Sequence, residues 1–231
     1  FESLAKSLPL LYLGKHKDQL ELIEAMLFGQ AGLIPDNPSD NYSKKLYSDY
    51  HHLATKFNLK AINKSLWKFM RMRPGNFPSI RIGQFAHLIF KSTSLLSKIL
   101  DITKPEELIK YFDVEASEYW NTHYIFGKET GFKNKTMGSS SINNIVINTI
   151  APFLFFYGKY HKKDEFTELS VEYLQHLSYE KNSIVNSWQK LGVEAKNAFD
   201  SQALIQLKNI YCKHRKCLNC RIGNQVIQHK F

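Results

Sequence analysis

The stretch YCKHRKCLNCRIG, Tyr211 to Gly223, holds all three cysteines of the chain. Cys212, Cys217 and Cys220 are spaced C-x4-C-x2-C. The C-x2-C pair is half of a zinc knuckle, because two thiolates offered from one tight turn can share a tetrahedral ion. Gly223 is expected to allow a turn that aims backbone amides at a sulfur. A closed structural site needs a fourth ligand. His214 is nearest, though two residues from Cys212 is awkward for one ion; His123, His161 and His229 are further candidates. One structural zinc on Cys212, Cys217, Cys220 and His214 therefore stands beside a plainer reading, three reduced cysteines packing a C-terminal cap. An iron–sulfur cluster fits less well, since the spacing departs from the common four-cysteine pattern. A nucleophilic cysteine activated by His214 is weaker still, because such partners meet in space rather than in sequence.

The second chemistry is cationic. No Asp or Glu follows Asp200, while Lys208, Lys213, Arg215, Lys216, Arg221 and Lys230 do. A second basic stretch, KSLWKFMRMRPGNFPSIR, carries Lys64, Lys68, Arg71, Arg73 and Arg81 among Trp67, Phe69 and Phe77. Cations at this density neutralise phosphates and release counterions, and exposed rings stack bases. The expected nucleic-acid contacts are Lys68, Arg71, Arg73, Arg81, Lys213, Arg215, Lys216 and Arg221. Trp67 and Phe69 fit a core role better than stacking. KNKTMGSSSINN offers Lys133, Lys135 and serine hydroxyls near a helix start, a setting that suits an anion. It lacks phosphate-loop spacing, and a mobile, exposed loop is the better reading. FDVEASEYWNTHY gathers Asp113, Glu115, Glu118 and His123, which could hold a divalent ion for phosphodiester hydrolysis. A solvated acidic face explains them more simply.

The elements that must position these groups read as helices. Leu20, Ile23 and Leu27 repeat at helical spacing. A helix is expected from about Tyr42 to Phe57, and another from Pro78, after the break at MRPGNFPS. Thr103 with Glu106 reads as a capping box. A buried core helix runs from Ile142, with Pro152 expected to kink or end it. Asp200 is placed as the cap of a helix that feeds the cysteines, with Phe199 and Leu204 as its staple. No alternating strand run appears. The expected fold is all-α: an irregular multi-helix domain, residues 1–231, with a short cysteine-containing C-terminal cap and one candidate boundary in loop 127–141.

The bulk numbers narrow the function. The chain has 231 residues, 43% hydrophobic and 23% charged, which excludes a disordered chain. Its net charge of +10 favours polyanionic partners, nucleic acid ahead of an anionic membrane surface. The apolar run Ile142–Tyr157 is interrupted by Asn143, Asn144, Asn148 and Pro152, so no membrane span is expected. An odd number of clustered cysteines suits a reducing cytoplasm. Phe1 falls inside an amphipathic pattern with Leu4, Ala5 and Leu8, as in a fragment preceded by another domain.

Three segments together, SLWKFMRMRPGNFPSIRIGQFAHLI, FDVEASEYWNTHYIFGK and NAFDSQALIQLKNIYCKHRKCLNCRIG, resemble the C-terminal half of an uncharacterised bacterial family, the domain of unknown function 2851. The resemblance implies a further N-terminal region, in which GPDF and VEIH stretches are similar to the metal-binding carboxylates of restriction-endonuclease-like folds. It assigns no catalytic residue to this chain. The reading that follows is a nucleic-acid-binding helical module of a nuclease-like protein. The alternatives are a structural or partner-binding helical domain and a metal-dependent hydrolase using the acidic cluster.

Overall fold

The computed structural model describes residues 1–92 and 94–228, and the fold is all-α. The chain forms two units. The first comprises Phe1–Ile102 with Glu107–Gly138, the second Thr103–Glu106 with Ser139–Phe231.

The first unit holds α1 (Glu2–Ser7), α2 (Leu10–Lys15), α3 (Leu20–Gln30), α4 (Asn41–Phe57), α5 (Pro78–Lys91) and α6 (Leu95–Asp101), followed by α7 (Pro105–Phe112), which starts at the edge of the second. α3 is its axis. Residues 23–28 alternate little in polarity, and Ile23, Ala25, Met26, Leu27 and Phe28 are completely buried. A helix apolar around most of its circumference must be covered on every side. α4 and α5 cover it, and Trp120, fully buried, stacks on Phe28 with ring centroids 5.0 Å apart. Gln30 is spanned at both ends. Its Nε2 donates to Lys60 O at 2.8 Å, and the Tyr50 hydroxyl donates to its Oε1 at 3.1 Å.

α4 starts where sequence chemistry says it should. Asp40 Oδ1 accepts from the Ser43 amide at 2.7 Å, and Asp40 Oδ2 accepts from the Tyr119 hydroxyl at 3.1 Å. Burial alone would raise the Asp40 pKa. The Ser43 and Tyr119 hydrogen bonds and nearby His123 outweigh it and hold the carboxyl below its ordinary range. Tyr119 also stacks on Tyr42 and His123, with centroids 4.1 and 4.0 Å apart.

Several sequence expectations need correction. β1 (His123–Ile125) and β2 (Lys128–Glu129) form a small antiparallel hairpin where no strand was expected. The loop after it is mostly exposed, as expected, but is anchored at Lys135 and Met137. Lys135 is 3% exposed; its Nζ donates to Lys133 O at 2.9 Å and Asn121 O at 3.3 Å and lies 4.0 Å from the Tyr124 ring centroid. Its donors are spent inside the fold, so Lys135 supplies no anion site. α7 begins at Pro105, where a missing N–H costs nothing. The helix expected to start by Thr103 is therefore present, and Glu106 pairs with His176 at 3.0 Å.

In the second unit α8 (Ser139–Ile145) and α9 (Ala151–His161) are one continuous helical path joined by a wider π turn, Val146–Ile150. Pro152 does not end it. The π turn stands immediately before the ring, where the proline removes one bond of the ladder. α10 (Asp164–His176) packs back on α9 through Gly158. A Cβ there would stand 2.6 Å from Thr167 Oγ1. α11 (Ser183–Gln189) and α12 (Ala198–Gln206) complete the unit, tied by Trp188 Nε1 donating to Leu204 O at 3.2 Å. Asn197, not Asp200, caps α12. Its Oδ1 accepts from the Asp200 amide at 3.0 Å, while Asp200 Oδ2 reaches back to the Lys196 amide at 2.9 Å. This reciprocal pair starts the helix three residues earlier than expected. Phe199 stays 42% exposed and makes no staple.

Candidate functional site

The basic loop of the first unit is built on two aromatic anchors. Trp67 Nε1 donates to Ala31 O at 2.7 Å, and Phe69 meets Phe77 edge-on at 5.2 Å. These rings face inward and hold up the loop. Lys64, Lys68, Arg71 and Arg73 stay exposed around them, with Met70 86% exposed. Arg81 behaves differently. Its Nη1 donates to Gln84 Oε1 at 2.9 Å and its Nη2 to Asn76 Oδ1 at 2.7 Å. Burial pulls its pKa down. The guanidinium braces the loop against α5, with much of its fork engaged there.

The second basic region lies in the second unit. A π turn, Leu207–Cys212, leads from α12 into a turn, a short 3-10 segment Cys217–Asn219, and α13 (Arg221–Gln228). Lys213, Arg215, Lys216 and Arg221 are exposed. Arg215 has φ 53° and Arg71 has φ 61°. A side chain in the left-handed region costs about 1–2 kcal/mol, so each basic region has one arginine held in a conformation its own backbone disfavours. Asn58 and Lys162 adopt the same conformation as helix C-caps, and Arg215 likewise lies in the turn that closes the helical path, with Lys216 N donating to Tyr211 O at 3.0 Å.

The cysteines follow the same turn. All three are free; Cys212 and Cys217 are exposed and Cys220 is half-buried. They border one small cavity with Trp188, Leu207, Tyr211 and Ile222, whereas His214 is exposed and is not among its lining residues. Gly223 is not in a turn, as expected, but inside α13. A Cβ there would stand 2.6 Å from Cys217 O, so its role is to let the helix start press on the cysteine turn. Among the described residues no three His, Cys, Asp or Glu side chains are gathered around a point that could hold an ion. His229 and Lys230 lie outside the described residues.

The acidic cluster is dispersed. Asp113 and Glu115 border a shallow cavity with His87, Lys91 and Thr136, and Glu115 bridges Thr136 through the backbone. Glu118 sits in a short 3-10 turn, and His123 Nδ1 lies 3.0 Å from Tyr119 O with its ring stacked on Tyr119. Glu115 and Glu118 do not share a helical face.

Sequence reasoning missed one surface. It placed the helix through Tyr157 in the core, but Phe155, Phe156 and Tyr160 are exposed beside Lys159, Lys162 and Lys163. The signal was available as Phe156, Lys159 and Tyr160 at helical spacing on α9, with Lys162 and Lys163 in the turn that follows it.

No curated protein and no solved structure matches the chain. The family described as Protein of unknown function (DUF2851) matches residues 1–183 of the 231. The chain belongs to that family.

Proposed function

We propose that this chain is a nucleic-acid-binding helical module of a nuclease-like protein. The observation that supports it best is the acid-free segment after Asp200, whose Lys213, Arg215, Lys216 and Arg221 are all exposed. Lys68, Arg71 and Arg73 add a second exposed set, with Arg81 as the brace of their loop. Arginine forks phosphate oxygens through two donors, so these turns suit a phosphodiester backbone more than a simple point-charge contact. Substituting Arg215, Lys216 and Arg221 by alanine should lower the slope of log affinity against log salt by about 2–3, since each phosphate contact contributes roughly 0.9. Fluorescence anisotropy across a salt series reads it directly. Unchanged affinity and slope would remove these residues from the interface. Absence of saturable binding by the parent at physiological salt would instead favour a structural or partner-binding domain.

The same reading includes a thiophilic ion, zinc, bracing the basic turn through Cys212, Cys217 and Cys220. Its support is that three reduced thiols border one apolar cavity. The thiols are not gathered around one point as they stand, so metal binding would rearrange them, and the fourth ligand is His214 or water. Protein purified under reducing conditions should carry about one zinc per chain, and C212S/C217S/C220S should carry none. A parent without zinc that also gives no thiolate-to-cobalt absorption on titration with Co²⁺ ends this part of the proposal.

A further inference from the structure

We propose that the outer face of α9 is a stacking platform for single-stranded nucleic acid, with Phe156 and Tyr160 receiving bases and Lys159, Lys162 and Lys163 meeting the backbone. The inference rests on the nucleic-acid reading above and adds to it the strand form and a site outside the basic turns.

The inner face of α9 is already spent. Ala151, Leu154 and Gly158 are buried, and Gly158 brings α10 into backbone contact. The opposite face repeats at helical spacing and carries Phe156 at 66% exposure and Tyr160 at 72%. Large rings normally bury most of their surface, and two of them left exposed one helical turn apart form a surface suited to a flat ligand. Their centroids are 5.9 Å apart and their planes differ by only 22°, a loosely stacked pair that leaves outer ring faces open to a base. Phe155, 45% exposed, points to a neighbouring side of the helix, with Lys159 Nζ 5.8 Å from its ring centroid.

The charge around the rings selects the occupant. Lys159, Lys162 and Lys163 are exposed, and Lys162 turns the chain through the left-handed region at φ 55°. Asp164 and Glu165 follow, but they occupy the first turn of α10, where carboxylates complement that helix's own N-terminal dipole. An aromatic surface edged by lysines matches a ligand with flat apolar faces and a regular negative backbone. A duplex hides those faces inside its stack, whereas a single strand exposes them.

The test uses the full chain and short labelled oligothymidine, oligouridine and a DNA hairpin. F156A/Y160A should weaken binding to the single strands by about 10- to 100-fold, the range expected when base stacking on aromatic rings is lost. Its affinity for the hairpin and its salt slope should stay at parental values. K159Q/K162Q/K163Q should instead lower the single-strand salt slope. Both sets of positions are exposed, and circular dichroism at parental intensity verifies that the variants fold. Parental single-strand affinity in F156A/Y160A, with hairpin and single-strand binding retained by the parent, overturns the α9 platform alone. A parent that binds none of the three probes at low salt overturns the nucleic-acid reading and the platform with it.

Discussion

Between pH 4.5 and 7 the chain should lose about 3 kcal/mol of folding stability at one side chain, and Glu24→Gln should remove that loss. Glu24 is 1% exposed, set in α3. Burial pushes its pKa from 4.5 to about 7; the Ser117 and Tyr42 hydroxyls pull it partly back, and the Glu21 charge adds to the rise. Ser117 Oγ donates to Oε1 at 2.7 Å. Glu24 Oε2, the Tyr42 hydroxyl and Trp120 Nε1 are buried without a well-formed hydrogen bond among the described residues. Tyr42 is itself pushed well above its ordinary range, first by burial and then by Glu24, so it stays neutral throughout.

Below pH 4.5 the folded and unfolded states both hold the Glu24 proton, and stability is at its maximum with respect to this group. As pH rises toward 7 the unfolded state releases the proton while the folded state keeps it, and stability falls. The interval between the two pKa values, at about 1.4 kcal/mol per pH unit, gives ~3 kcal/mol. Above 7 both states are ionised and the curve flattens. Asp40 acts in the opposite direction and in a separate window. Its lowered pKa contributes stability at neutral pH that is lost only as pH falls below the ordinary carboxylate range. Urea titrations of parent and E24Q across this range isolate Glu24 as a difference. Parallel curves for the two proteins would falsify the buried neutral carboxyl.

Gly29→Ala should destabilise the first unit by about 3 kcal/mol, at the upper end of the range for overpacking. An added Cβ would stand 2.0 Å from Tyr50 Cγ and 2.1 and 2.5 Å from its two Cδ atoms. The clash is at the root of the ring, where a change of rotamer gives little relief. The ring is also anchored at its far end, because the Tyr50 hydroxyl donates to the buried Gln30. Helix propensity alone points the other way, favouring alanine over glycine by about 1 kcal/mol in a helix interior. The urea midpoint decides between them. Combining G29A with Y50A should cost less than the sum of the two changes, since residues in contact are coupled. A G29A protein with the parental midpoint would show that α3 and α4 do not approach so closely.

The sequence was legible where the signal is local. Helical spacing, the break at MRPGNFPS and the restart at Pro78 predict α3, α4 and α5 closely, because each depends on periodicity and turn chemistry within a few residues. Caps were read less well. Asp200 and Asn197 are both good capping residues three positions apart, and only the fold decides which one the backbone uses. The exposed lysines and arginines around Lys68–Arg73 and Lys213–Arg221 follow from composition, since charged side chains are rarely buried without partners. Lys135 and Arg81 leave the surface because carbonyls and amide oxygens that the fold brings to them supply those partners.

By itself the sequence determined the all-α class, the basic balance, the acid-free segment after Asp200 and the clustering of the three cysteines. These are properties of neighbouring residues, fixed before any folding. The tertiary structure alone decided that Glu24 is enclosed, that Gly29 has no room for a methyl group, that Lys135 is spent internally and that Phe156 and Tyr160 face solvent. Each depends on which distant segment arrives at a helix face. Periodicity shows that a helix has an apolar side, but only packing says whether anything covers it.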